Sequence, residues 1–191
     1  MDISQWEERY RSQARAGEDF GAAPAALVTR FAGTLTPGRV LDLACGTGRN
    51  ALWPAQKGWQ VTAVDGASAA IDLLRGRARE MGLAVEAEVA DLEKFEYCIE
   101  PAAWDLICIC YYLQRDLFEV AKRGLVPGGV IISIVHLSDP GEAATEHRLL
   151  AGELAGYFRD MEILHQFEGQ PNDPTHQRPV AEIVARRRKP A

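Results

Sequence analysis

Residues 40–51 of the chain read VLDLACGTGRNA. The stretch begins with apolar residues typical of a buried strand, turns at Gly46 and Gly48, and then opens a helical pattern. Glycine lets the backbone approach a ligand closely, and the start of a helix presents N–H groups that have no partner within the helix. The order of strand, glycine turn and helix therefore predicts a nucleoside-cofactor site in a doubly wound α/β fold.

Asp42 discriminates between two cofactors that such a turn can hold. The spacing Gly46-x-Gly48-x-x-Ala51 also fits the dinucleotide fingerprint, so the glycines alone leave NAD open. A carboxylate at the end of the first strand would repel the pyrophosphate of NAD, whereas it attracts the ammonium and sulfonium groups of S-adenosylmethionine. Asp42 therefore favours S-adenosylmethionine, and the alternative is that it only hydrogen-bonds the backbone of the turn.

Two further acids follow the next two strands. Asp65 ends the second strand, where its side chain can accept both ribose hydroxyl protons, and Gly66 and Ala67 leave room for adenine. The alternative for Asp65 is to cap the following helix, a position for which Ser68 is already suited. After the third strand, the pair Asp91-Leu92 can contact the adenine amino group and ring face, or else Asp91 serves only its own turn.

Apolar runs of strand length alternate along the chain with amphipathic segments, as in a parallel sheet covered by helices on both faces. The predicted strands are residues 39–43, 60–65, 84–89, 105–110, 129–136, 161–168 and 179–187. The predicted helices are residues 3–16, 24–34, 49–57, 68–81, 116–123 and 146–154. The last two strands are joined by a polar turn, residues 169–177, and this favours an antiparallel hairpin beside the parallel strands.

Length and composition predict one domain spanning residues 1–191, with a helical lid segment over 1–36 and a Rossmann-like core over 37–191. A small-residue loop around residues 17–23 joins the two helices of the lid segment. Apolar residues make up 47% of the chain and charged residues 25%, as in a globular protein. A net charge of −6 argues against nucleic acid as a partner, and the basic run at residues 186–189 is interpreted as a tail that closes the final strand.

No apolar run is long enough to span a bilayer, and the first 20 residues contain no apolar signal core. We therefore expect a cytoplasmic protein without a membrane partner. The four cysteines lack the paired spacing of a zinc site, and no metal is predicted. No coiled-coil pattern demands a partner chain, so a monomer or a weak homodimer is expected.

Together these residues resemble the class I S-adenosylmethionine-dependent methyltransferases. The resemblance rests on residues 40–48, Asp65, Asp91-Leu92, residues 104–107 and the sequence LVPGG at residues 125–129. The triplet GRN at residues 48–50 and the late hairpin are similar to the tellurite-resistance methyltransferase branch. The family implies a seven-stranded sheet with an antiparallel last strand.

The resemblance also implies which residues hold the cofactor. The sequence WEERY at residues 6–10 is similar to a segment that covers the methionine end in small-molecule methyltransferases. The implied cofactor contacts are Tyr10, Asp42, Ala44, Cys45, Gly46, Gly48, Asn50, Asp65, Gly66, Ala67, Asp91, Leu92 and Cys110. Ala44 replaces a glycine common in the family, which is tolerable if its backbone is not left-handed. Pro54 is expected to make the first core helix irregular.

A methyltransferase needs a methyl acceptor, which should lie beyond the carboxyl ends of the fourth and fifth strands. Tyr111 and His136 are the candidates to contact a small-molecule acceptor, each with the alternative of a packing role. Arg115 can hold an anionic acceptor or begin the next helix. Cys108 and Cys110 share one strand face and would suit a metalloid, although buried free cysteine usually packs as a small hydrophobe.

The acceptor is not named by the sequence, and a thiol, an oxyanion or a chalcogen compound would each suit the prediction. Two rival functions are kept. One is a non-catalytic protein that binds S-adenosylmethionine, and the other is a nicotinamide-dependent oxidoreductase built on the same glycine turn.

Overall fold

The computed structural model describes residues 2–16, 23–139, 141–173 and 176–190. Most of the predicted loop at residues 17–23 and part of the turn at 169–177 lie outside these ranges. In chain order the elements are α1 Ile3–Ala16, α2 Ala26–Ala32, β1 Arg39–Leu43, α3 Arg49–Gln56, β2 Gln60–Asp65, α4 Ser68–Glu80, β3 Val85–Val89, β4 Trp104–Cys110, α5 Leu117–Gly124, β5 Leu125–His136, α6 Glu153–Gly156, β6 Glu162–Gly169 and β7 Val180–Arg186.

The strands form one seven-stranded sheet with the order β3-β2-β1-β4-β5-β7-β6. The pairs formed by β1 to β5 are parallel, whereas β7 runs antiparallel to both β5 and β6. This confirms the mostly parallel sheet with an antiparallel last strand. The strand order reverses direction between β1 and β4, and the carboxyl ends of these strands form the crevice where doubly wound sheets bind ligands.

The central strands of the sheet are buried on both faces. Leu41, Leu43 and Ile107 belong to a core cluster on one side, and Val40, Leu106 and Ile132 belong to the cluster on the other. A strand covered on both faces needs apolar residues at successive positions, which explains the continuous apolar runs in the sequence. The sheet is thus held in place by the helices, and the carboxyl ends of its strands position the loops that form the crevice.

The predicted helix at residues 146–154 is wrong. Leu149 instead forms an isolated parallel bridge with Leu137, and only the four residues of α6 are helical. The Arg115 guanidinium donates to the backbone carbonyls of Thr145 and Arg148 and to the Glu153 carboxylate. These hydrogen bonds come from a residue outside the segment and satisfy backbone carbonyls that a helix would otherwise pair. The helical periodicity of residues 146–154 therefore does not decide their structure.

The basic run that begins at the end of β7 is bound to neighbouring segments of the fold. Arg187 donates to the backbone carbonyls of Arg123 and Leu125, and Arg188 donates to that of Met161. Among the described helices, none combines the length and the apolar character that a membrane crossing requires. That residues 1–191 form one domain, and the monomeric or weakly dimeric state, remain predictions.

Ala44 has a φ of 54°, which is a left-handed backbone conformation. The expectation that alanine is tolerable here required a backbone that is not left-handed, so that condition is not met. A left-handed backbone costs a residue with a Cβ atom about 1–2 kcal/mol. We expect Ala44→Gly to raise the free energy of unfolding by about 0.5–1 kcal/mol, after allowance for the greater freedom of glycine in the unfolded chain. Urea denaturation measures this change.

The matched control is Ala63→Gly, because Ala63 is buried within β2 and has no positive φ. Glycine at that position should lower the free energy of unfolding, since a strand interior loses both packing and backbone order. A destabilised Ala44→Gly variant would contradict the strain assigned to Ala44.

Candidate cofactor and acceptor site

The glycine turn lies at the carboxyl end of β1. Gly46 and Gly48 have φ values of 54° and 83°, in the left-handed region that favours glycine. A Cβ atom at Gly48 would come within 2.1 Å of Leu74 Cδ1, and one at Gly46 within 2.8 Å of the Tyr10 hydroxyl oxygen. Both positions therefore require glycine, because the backbone is left-handed and a Cβ atom would clash. Without side chains at these two positions, the backbone of the turn is open to a ligand.

Asp65 organises this turn. One carboxylate oxygen accepts a hydrogen bond from the Gly46 N–H at 2.8 Å, and the other accepts one from the Ala67 N–H at 2.9 Å. Burial raises the pKa of Asp65, while the two backbone donors act in the opposite direction. Each carboxylate oxygen has a second lone pair, so Asp65 can still accept hydrogen bonds from a ligand.

Asp42 is the most unusual group of the site. Its side chain is 1% exposed, and its Oδ2 atom has no hydrogen-bond partner among the described residues. Burial, followed by the nearby negative charge of Asp65, raises the pKa of Asp42 to about 8. A buried acid with an unused oxygen is costly unless a ligand supplies a donor or a positive charge. The alternative in which Asp42 merely binds the turn backbone gives that oxygen no partner.

Helix α1 packs over the glycine turn, and its role as a lid stays a prediction. Ile3 Cδ1 would lie 2.5 Å from a Cβ atom at Gly66, and the Tyr10 hydroxyl lies over Gly46. The Glu7 carboxylate accepts hydrogen bonds from the Ser68 hydroxyl and the Ala69 N–H. The prediction that Ser68 caps α4 is therefore wrong, because Ala67 occupies the N-cap position and Glu7 supplies the carboxylate.

A cavity of about 700 Å³ opens beside the start of α1. Its walls include Ile3, Glu7, Gly66 and Asp91, which places it between the lid helix and the ends of β2 and β3. A cavity of this volume is in the range of small-molecule sites. The space predicted next to Gly66 and Ala67 is therefore present on the side where Asp91 lies.

Asp91 also has a structural role in its own turn. Its Oδ1 accepts hydrogen bonds from the backbone N–H groups of Glu93 and Lys94, and its Oδ2 lies 2.9 Å from Lys94 Nζ. The hydrogen bond from the Lys94 side chain lowers the pKa of Asp91, which favours a charged acceptor. Leu92 is buried beside it.

The other predicted cofactor residues line the same turn with different roles. Cys45 is buried, and its N–H donates to the Val64 carbonyl at 3.0 Å, which joins the turn to β2. Asn50 Oδ1 accepts from the Ala25 N–H at 2.9 Å and ties the approach to α2 onto α3. Cys110 is buried at the end of β4. Pro54 lies in the last turn of α3, which ends two residues later.

On the acceptor side, the structure brings Tyr111 and His136 together. Their ring centroids are 5.5 Å apart at the carboxyl ends of β4 and β5. His136 Nδ1 is buried without a hydrogen-bond partner among the described residues, and burial lowers the pKa of His136. Tyr111 is left-handed at φ 61°, a strained conformation of the kind that accumulates at functional sites. Arg115 instead holds the segment before α6, so we do not retain it as an acceptor ligand.

Three residues of this cluster were not predicted from the sequence. Arg49 begins α3, and its Nη1 lies 2.9 Å from Asp173 Oδ2. The Tyr111 hydroxyl donates to the same oxygen at 3.0 Å, and His176 stacks on the Tyr111 ring. Asp173 and His176 belong to the connection between β6 and β7, more than 120 residues from Arg49. No local signal marks such a pairing.

Residues 40–129 match the family model described as "Methyltransferase domain". This segment holds the glycine turn, Asp42, Asp65 and Asp91, whose geometry is described above. The match covers 90 of the 191 residues of the chain. Methyltransferases of this kind take their methyl group from S-adenosylmethionine. The site fits that cofactor, because Asp42 Oδ2 has no hydrogen-bond partner among the described residues and a cationic ligand would supply one. A search of curated proteins found no match to the chain.

Solved structures share the fold of this chain. TehB from Haemophilus influenzae is 24% identical with a TM-score of 0.72, covering 84% of this chain, which spans 61% of the TehB chain. A Burkholderia thailandensis 1,6-didemethyltoxoflavin-N1-methyltransferase with bound S-adenosylhomocysteine is 20% identical with a TM-score of 0.72, covering 98% and 87% of the two chains. The [4+2]-cyclase SpnF is 20% identical with a TM-score of 0.70, covering 86% and 79%. At these identities the likeness establishes the fold.

Proposed function

We propose that this chain transfers a methyl group from S-adenosylmethionine to a small-molecule acceptor. The observation that carries the proposal is the buried Asp42 Oδ2 atom, which has no hydrogen-bond partner among the described residues. It belongs to the segment that contains the glycine turn and matches the model of a methyltransferase domain. The acid at this position also favours S-adenosylmethionine over the nicotinamide alternative. A cationic ligand gains from ionising Asp42, whose pKa is about 8, whereas the pyrophosphate of a dinucleotide at the same turn does not.

In this proposal, each acid of the site receives a different part of the cofactor. Asp42 faces the ammonium and sulfonium end, with Tyr10, Ala44, Cys45 and Gly46 around it. Asp65 accepts the ribose hydroxyls while keeping its bonds to the turn backbone. Asp91 and Leu92 bound the adenine, with the cavity beside Gly66 as the space for it. The remaining contacts assigned to the cofactor are Gly48, Asn50, Ala67 and Cys110.

When bound, S-adenosylmethionine supplies a methyl carbon whose bond to sulfur breaks with the electron pair left on sulfur, while an acceptor lone pair forms the new bond. The residues of this chain orient the acceptor and exclude water, which can provide much of the rate. His136 is the base for an acceptor that arrives protonated. Its lowered pKa keeps the imidazole neutral at neutral pH, which leaves one ring nitrogen able to take up a proton. We assign this role to Nδ1, because that atom has no hydrogen-bond partner among the described residues.

The acceptor class that we propose includes thiols, oxyanions and chalcogen compounds. The triplet GRN and the hairpin of β6 and β7 resemble the tellurite-resistance methyltransferase branch, and TehB is among the structures of similar fold. The didemethyltoxoflavin methyltransferase acts on a small heterocyclic molecule and supports an acceptor of modest size.

The experiment is to incubate the purified chain with S-adenosylmethionine and a panel of benzyl mercaptan, benzylamine, benzimidazole, selenite and tellurite, and to measure S-adenosylhomocysteine. We expect product above the rate without protein for at least one acceptor. If the chain bound S-adenosylmethionine but formed no product with any acceptor, the non-catalytic alternative would replace the proposal. The cyclase with this fold makes that outcome a necessary part of the test.

His136→Gln should lower kcat for a thiol or amine acceptor by about 100-fold, the lower part of the range for general-base catalysis. The substitution keeps a polar side chain of similar length but cannot take up a proton at neutral pH. The control is His147→Gln, because His147 lies on an exposed segment after β5. Equal activity of the His136 and His147 variants would remove His136 from the mechanism.

A further inference from the structure

The ring of Tyr111 is covered by a second flat ring. The His176 imidazole lies parallel to it, with an interplanar angle of 4° and a centroid separation of 3.5 Å. At that separation no third ring fits between them. Any ligand that stacks on this face of Tyr111 must therefore displace His176.

The edge of the imidazole is held as well as its face. His176 Nε2 lies 3.2 Å from Arg49 Nη2, and a guanidinium has donors but no acceptor. Nε2 therefore accepts, and the proton of the neutral ring is on Nδ1. Burial, followed by the positive charge of Arg49, lowers the pKa of His176 to about 4, which agrees with a neutral ring at pH 7. The chain thus binds one of its own neutral heteroaromatic rings.

The slot that holds this ring is well defined. Asp173 Oδ2 receives both the Tyr111 hydroxyl and Arg49 Nη1, so the tyrosine and the guanidinium are held in fixed relation. The Arg49 and Asp173 side chains are only 14% and 13% exposed. The His136 ring, with its unpartnered Nδ1, lies 5.2 Å from the His176 ring. The slot is therefore next to the proposed base, at the carboxyl edge of β4 and β5.

We propose that the methyl acceptor is a flat heteroaromatic molecule with an unprotonated atom at its edge, which replaces the His176 imidazole on Tyr111 and accepts a hydrogen bond from Arg49. The proposal rests on the proposed methyl transfer and narrows its acceptor class. In this arrangement the His176 ring covers this face of Tyr111 in the absence of an acceptor and moves aside when one binds. A proton leaving the acceptor would reach His136 Nδ1.

The test uses the chain saturated with S-adenosylhomocysteine and compares two bicyclic probes of the same shape. Benzimidazole has a ring nitrogen that accepts a hydrogen bond, whereas indole does not. Because His176→Ala removes the competing ring, benzimidazole should bind this variant about fivefold or more tighter than it binds the wild type, the size expected for one aromatic stack. The affinity for indole should increase less than that for benzimidazole in the same variant. As a control, His147→Ala should bind benzimidazole as the wild type does.

Calorimetry with each variant separates the outcomes. The double variant Tyr111→Leu/His176→Ala should lose the gain in benzimidazole affinity, provided that it still binds S-adenosylhomocysteine. If His176→Ala bound S-adenosylhomocysteine but gained no affinity for benzimidazole, or gained equally for indole, this inference would be overturned while the proposed function stood. A chain that bound no S-adenosylhomocysteine would end both.

Discussion

Replacing Asp65 with alanine should weaken the binding of S-adenosylmethionine by about 100-fold or more, because two hydrogen bonds to a charged acceptor, worth about 1.5–3 kcal/mol each, are lost. The effect has two sources. The ribose hydroxyls lose their acceptor, and the backbone donors of Gly46 and Ala67 lose the carboxylate that shapes the turn. Calorimetric titration measures the change in Kd.

The control is Asp72→Ala, because Asp72 lies on α4 with a side chain that is 75% exposed. It removes the same charge from the neighbouring helix without touching the turn, so the Kd should remain that of the wild type. Undiminished affinity in Asp65→Ala would show that the cofactor lies elsewhere. A circular dichroism melt establishes that the variant is folded before the titration is interpreted.

Asp42→Asn should also weaken S-adenosylmethionine binding by about 100-fold, since it leaves the buried cation without its counter-charge. At the same time it should stabilise the protein without ligand at pH 8. Asparagine resembles the protonated acid in shape but never ionises, so it avoids the cost of a buried charge. Lost binding together with gained stability is a combination that a general folding defect does not produce.

The pH dependence follows from the raised pKa of Asp42. Its folded-state pKa of about 8 lies above the ordinary aspartate value of 3.8, so the folded chain holds this proton more tightly than the unfolded chain does. The contribution of Asp42 to stability is therefore present at low pH and falls between about pH 4 and pH 8, by at most about 1.4 kcal/mol per pH unit. In Asp42→Asn the free energy of unfolding should lack this part of its dependence on pH. The variant and the wild type should be equally stable near pH 4.

Cofactor binding should show the opposite trend. A cationic ligand prefers the ionised carboxylate, so binding to the wild type displaces a proton, and the affinity should rise as pH increases from 5.5 to 7.5. The rise is limited to about tenfold per pH unit for one proton. Titrations in buffers of different ionisation enthalpy measure the proton released. An affinity independent of pH in the wild type would contradict a protonated Asp42 in the free protein.

The sequence predicted the sheet because the signal for it is local. A strand covered on both faces must be apolar at successive positions, so the bounds of β1 and β2 were predicted as the structure has them. Gly46 and Gly48 were recognisable for the same reason, since a left-handed backbone and a crowded turn admit little else. The antiparallel hairpin was also predictable, because a short polar turn cannot cross over a sheet.

Features that depend on distant contacts were not predictable. Glu7 caps α4 from a helix 61 residues away in sequence, which made Ser68 an incorrect cap. Arg115 satisfies carbonyls 30 residues further along and overrides the helical pattern at residues 146–154. Asp173 and His176 reach Arg49 only because β7 pairs with β5 and brings the connection between β6 and β7 to the crevice.

The central claim is that the acids around the glycine turn hold a cationic sulfur nucleoside. Isothermal titration of the unmodified chain with S-adenosylmethionine and, separately, with NAD tests it most directly. The account predicts saturable heat and a one-to-one complex with S-adenosylmethionine, and no saturation by NAD at the same concentrations. Saturation by NAD, or no binding of S-adenosylmethionine at low millimolar concentration, would contradict it.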